Sequence, residues 1–131
     1  MAYAGTSTVV RRTARGRRYF IATLTETEAA AGSEATIAGL PALGRVVDVH
    51  ATLTAGTGTT IDPEGGRAAA WVDLAQDEIW QNGAAAAHIS AQPGKPYYSA
   101  TGTLYWRSTP NSAVADHSIV TQITIAEGAE A

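Results

Sequence analysis

The sequence predicts an all-β fold: an antiparallel, jelly-roll-like β-sandwich with an extended N-terminal arm. Three observations predict it. Apolar and polar residues alternate with period two over Val47–Leu53 and Ile119–Ile125, Gly- and Pro-rich turns separate short β-branched runs, and no segment signals more than a turn or two of helix. At 131 residues the chain suits one core.

Residues 1–18 are rich in Gly, Thr, Ser and Arg and read as an arm that a partner orders, with Val9 and Val10 as a short pairing segment. Residues 19–131 then form the sandwich domain. Its first strand is Tyr19–Thr25, with Phe20, Ala22 and Leu24 on one face. Thr25-x-x-Glu28 has capping-box spacing and, followed by alanines and Gly32, predicts a short helical turn. A strand over Ala35–Ala38 stops at Gly39-Leu40-Pro41.

Arg45–Thr54 alternates most clearly, with Val47, Val49, Ala51 and Leu53 on one face and Val46, Asp48, His50, Thr52 and Thr54 on the other. Gly56–Thr60 reads as a flexible loop, Asp62–Gly66 as a turn and Ala68–Leu74 as a strand; the alanines at 84–87 fit either a helical turn or a tight strand. Beyond the proline-bounded loop 92–96, strands over Thr101–Arg107 and Ser118–Ala126 complete a set of seven or eight. No internal repeat or heptad is present.

Composition excludes several function classes. Without cysteine there is no disulfide, thiolate nucleophile or sulfur-ligated metal. No apolar run spans a bilayer and no secretory signal is evident, which predicts a soluble protein made in the cytoplasm. A core with one Phe and one Met buries little bulk, which favours added stability from subunit contacts.

The formal charge of −3 is unevenly spread. Arg11, Arg12, Arg15, Arg17 and Arg18 precede the first acid, Glu26, so the rest of the chain carries four cations against twelve acids. An arm and body of opposite sign favour contact between the arm of one molecule and an acidic surface on another.

No catalytic, metal or cofactor site is expected. His50, His88 and His117 lack metal-ligand spacing. Asp48 and His50 share a strand face, but no Gly-x-Ser-x-Gly supplies a nucleophile, and a solvated strand face is the plainer reading. Asp116 and His117 are adjacent and point to opposite faces of a strand, which fits turn chemistry.

Aromatic rings on a β surface can instead bind partners or sugars. Tyr97 and Tyr98 flank the 92–96 loop. In the strand ending at Arg107, Leu104 and Trp106 share the core face, leaving Tyr105 and Arg107 as contact surface.

The segments YFIATLTETEAAAGSEATIAGLPALGRVVDVHATLTAG and TGTLYWRSTPNSAVADHSIVTQITIAEG resemble small structural proteins of tailed-bacteriophage particles. The resemblance implies a capsid decoration or cement protein on the virion's outer surface, assembled in the host cytoplasm. Its implied partners are the major capsid protein and copies of itself, a trimer being favoured, with neither enzyme activity nor membrane contact. Two other classes remain open: a receptor- or carbohydrate-binding module of a tail or head fibre, and a head-tail connector meeting nucleic acid through its arginines.

Overall fold

A computed structural model describes residues 2–72 and 77–128. Among these, ten strands and no helix occur: β1 (Ala4–Ala14), β2 (Arg17–Ala29), β3 (Ala35–Ile37), β4 (Leu43–Ala55), β5 (Glu64–Gly66), β6 (Glu78–Gln81), β7 (His88–Ala91), β8 (Lys95–Tyr98), β9 (Leu104–Arg107) and β10 (His117–Glu127). They form two antiparallel sheets. The larger, six-stranded, runs β1-β2-β10-β4-β7 with β8 also on β4; the smaller runs β3-β9-β5-β6.

Alternation decides which face of each strand is buried. In β2, Phe20, Ala22 and Leu24 point inward; in β10, Ile119, Thr121, Ile123 and Ile125 do so. Phe20, Ala22, Leu24, Ile123 and Ile125, with Val46 and Val49, meet Ile37, Trp80, Leu104 and Trp106 of the smaller sheet to make the main core, while Ile119 packs with Ala29, Ala51, Ile61 and Ile89. Trp80 and Trp106 pack with centroids 5.7 Å apart and planes tilted by 31°. The glycines of β5 make room for bulky indoles. A Cβ on Gly65 would lie 2.6 Å from the Trp106 ring, and Gly66 is pressed equally close to Trp71.

Several sequence expectations are corrected. Thr25–Glu28 continues β2 rather than turning into helix, because Glu26 takes the inward position after Leu24 and finds hydrogen-bond partners there. In β4 the register shifts between Thr124 and Ile125 of β10, so Val46 is buried at 1% exposure while Val47 is only half-buried. The extra residue of a bulge breaks the period and swaps the face.

Residues 67–70 form bends and a turn rather than a strand, and positions 73–74 of that expected strand lie outside the described residues. Lys95–Tyr98 is strand, not loop. Pro96 fits because β8 lies at the side of the sheet and needs few ladder donors. At 84–87 the structure has a bend and an isolated bridge, Ala86 to Ile61.

The segment expected to be mobile until a partner ordered it is ordered by its own chain. β1 pairs with β2 without a register break from Ala4↔Thr27 to Ala14↔Arg17. The connecting Arg15-Gly16 turn has φ of 54° and 76°, the two positive angles of a type I′ hairpin.

Candidate partner-binding surfaces

The hairpin determines where the arginines go. Arg11 and Arg12 near the end of β1, Arg15 in the turn, and Arg17 and Arg18 at the start of β2 all fall within one ribbon tip. Arg11, Arg12, Arg15 and Arg18 are exposed and Arg17 is half-buried. Register brings two further cations to the same end. Ala126 of β10 lies opposite Tyr19 on one side and Arg45 on the other, and Val46 is paired with Lys95.

The Arg11 guanidinium sits 5.5 Å from the Phe20 ring centroid, Arg18 approaches Glu127 at 3.7 Å, and Arg45 donates to the Gly94 carbonyl at 2.5 Å. The two remaining cations are held by acids. Arg67 pairs with Asp77 at 3.3 Å, and Arg107 with Glu34 at 3.1 Å and Glu64 at 3.4 Å.

Arg107, half-buried, is therefore held in place by the body's own acids. Its guanidinium also stacks 3.7 Å above the Trp71 ring and donates to the Trp71 carbonyl at 2.6 Å. Around it opens a cavity of about 450 Å³ lined by Gly32, Glu34, Glu64, Ala70, Arg107 and Thr109. These residues come from four separate stretches of chain, so no local motif announces them.

The tyrosines divide. Tyr97 is 5% exposed and donates its hydroxyl to the Pro41 carbonyl at 2.8 Å, which removes it from any contact surface; burial raises its phenol well above the ordinary value. Tyr98, the next residue in the strand, faces the other way at 57% exposure. Tyr105 is half-buried in β9, opposite Thr36 and Gly66.

Sequence reasoning missed the buried cluster that anchors the N-terminus. Glu26, 1% exposed, accepts hydrogen bonds from the Tyr3 hydroxyl at 2.7 Å and from the Ser108 hydroxyl. Burial raises its carboxyl above the usual carboxylate value, against the lowering pull of those two bonds. Burial and the Glu26 charge in turn raise the Tyr3 phenol. The residues are 23 and 82 positions apart in sequence, beyond any spacing argument.

The histidines also have structural partners. His117 is fully buried; its Nδ1 lies 2.7 Å from the Ala29 carbonyl, and its Nε2 accepts the Gly58 N–H at 2.9 Å. That pattern requires the neutral ring with its proton on Nδ1. Asp116 accepts the Thr57 N–H and hydroxyl, and Asn111 accepts the N–H groups of Thr59 and Thr60. The 56–60 loop is thus tied down rather than flexible.

On the outer sheet face Asp48 contacts His50 at 3.3 Å, His50 stacks on His88, and His88 hydrogen-bonds Thr52 at 2.8 Å. Among the described residues no group of three or more His, Asp or Glu could hold a metal ion.

No protein-family model and no curated protein matches the chain. Among solved structures it is similar to a chain of the cyanophage Pam1 capsid asymmetric unit, with a TM-score of 0.42 and 15% identity, over 95% of this chain and 84% of that one.

Proposed function

We propose that this chain is a structural protein of a tailed-bacteriophage particle. Specifically, it is a non-enzymatic decoration or cement protein that binds the outer capsid shell and links neighbouring major capsid subunits. The observation that carries this reading is the sorting of charge. Seven of the nine basic residues gather at the hairpin end, while Arg67 pairs with Asp77 at the surface and Arg107 with Glu34 and Glu64 in the body. A cationic ribbon tip on a stiff sandwich suits docking to an acidic protein surface, and the loose family resemblance of the sequence points the same way.

Binding to shells assembled without the protein tests this. The wild type should co-sediment in copy number comparable to the major shell subunit. Replacing Arg11, Arg12, Arg15, Arg17 and Arg18 by Gln should weaken binding about tenfold or more, since exposed ion pairs contribute about 0.2–1 kcal/mol each. Unchanged binding by that variant rules out the hairpin as the docking element. Occupancy of a few copies at one vertex, or salt-sensitive DNA binding in place of shell binding, rules out cementing.

A further inference from the structure

The outer edge of β1 has no partner strand among the described residues. The hairpin geometry tells which backbone groups lie there. A two-residue type I′ turn closes on a hydrogen-bonded pair, here Ala14 and Arg17, and such pairs alternate along an antiparallel ladder. Even-numbered residues from Ala4 to Ala14 therefore bond to β2. Gly5, Ser7, Val9, Arg11 and Thr13 turn their N–H and C=O groups outward.

Exposed edges are ordinarily blocked by prolines, bulges, short length or inward-pointing charge. Residues 4–10, AGTSTVV, contain no proline or charge, and their pairing with β2 has no bulge. This half of the strand is a ready template for another strand.

The geometry points to a second copy of this chain as the occupant, its β1 antiparallel to the first about a two-fold axis at Ser7. Outward groups then meet outward groups, with Ser7 opposite Ser7 and Gly5 opposite Val9 of the second copy. Electrostatics selects this direction. A parallel pair would align two sets of five arginines about 4.8 Å apart. The antiparallel pair separates the two Arg15 residues by about 50 Å, at 3.3 Å per residue, far beyond a screening length of about 8 Å.

The antiparallel pair also places opposite charges together. Arg11 and Arg12 come to lie opposite Tyr3 and Ala2 of the second copy, at the end of its sandwich that carries Glu28, with Glu34, already bound to Arg107, behind it. Glu28 follows Thr27, the partner of Ala4, and Glu34 precedes Ala35, whose Cβ lies 3.0 Å from where a Gly5 Cβ would stand. The outcome is one continuous sheet through both molecules, with a cationic tip at each end of the shared ribbon. This pairing is independent of the virion reading.

Sedimentation velocity on the purified full chain, with two variants, tests it. The wild type should show a two-copy mass. Ser7→Pro removes an outward N–H and no bond to β2, and should return the chain to a single-copy mass with its strand circular dichroism retained. Because the chain has no cysteine, Ser7→Cys introduces a single thiol that in the dimer faces its own copy at about 5.5 Å between Cα atoms, within disulfide range. It should oxidise to a covalent pair at least tenfold faster than Thr13→Cys, whose position lies beyond the paired segment.

If Ser7→Pro fails to fold, the cysteine comparison still reads the same geometry. A single-copy mass at every concentration, a closed trimer, or equal cross-linking of the two cysteine variants overturns the pairing. None of these measurements involves shells, so failure of cementing and failure of pairing are separately visible.

Discussion

At the scale of single residues, two carboxyl groups respond to pH with opposite sign. The folded-state value of Glu26 is raised by burial, so the folded protein holds that proton more tightly than the unfolded chain. Its contribution to stability therefore falls as pH rises from the ordinary value of 4.5 through the raised one, and recovers on acidification. Asp116 is the reverse. Hydrogen bonds from the Thr57 hydroxyl and N–H lower its value, so its contribution is present above the unfolded value and lost as pH falls through the folded one. Urea midpoints across pH should show Glu26→Gln removing the gain on mild acidification, and Asp116→Asn removing the loss at lower pH. An unchanged profile in both variants contradicts the assignment. Gly65→Ala probes packing rather than charge. The added methyl meets the Trp106 ring at 2.6 Å inside the core, and thermal unfolding should show a loss of about 1–3 kcal/mol.

At the scale of elements, the β1–β2 hairpin belongs to the body it was expected to hang from. Tyr3 and Val9 pack against the core cluster, and Tyr3 is bonded to Glu26, so removing residues 2–14 should unfold the sandwich rather than trim it. The turn itself is improvable. Arg15 holds φ of 54°, where a side chain without a local hydrogen bond is strained, and Arg15→Asn should raise stability by about 0.5–1 kcal/mol in chemical denaturation. The strands facing the core were legible in the sequence where burial of one face enforces period two without interruption, as in Tyr19–Thr25 of β2 and in β10. Legibility failed in β4, where a bulge exchanged Val47 for Val46, and in β1, which as an edge strand has no continuous apolar stripe to announce it. The arginines of the candidate site were visible because they are contiguous. The Arg107 network, the Glu26 cluster and the burial of Tyr97 depend on contacts across the sandwich, which no local pattern encodes.

At the scale of the whole molecule, charge separation has a cost to the fold that a single-copy protein has no reason to bear. Five arginines share one ribbon tip, and among the described residues Glu127 pairs with one of them, Arg18, at 3.7 Å and about half exposed. Such an ion pair contributes little, whereas like charges on neighbouring strand positions repel. Repulsion acts over about 30 Å at 0.01 M salt and about 3 Å at 1 M. In a Ser7→Pro background, which isolates the single copy, added salt should therefore raise the thermal midpoint. Arg12→Glu should raise it at low salt by the equivalent of about 0.5–1 kcal/mol and abolish most of the salt dependence. The same substitution, made without Ser7→Pro, should weaken both shell binding and pairing, because it deletes a cation from the surface presented to the partner. A variant that stabilises the isolated chain while weakening its association locates the selective value of the arginines outside the fold. If Arg12→Glu leaves the midpoint and its salt dependence unchanged, the cationic tip imposes no strain and this account of its purpose fails.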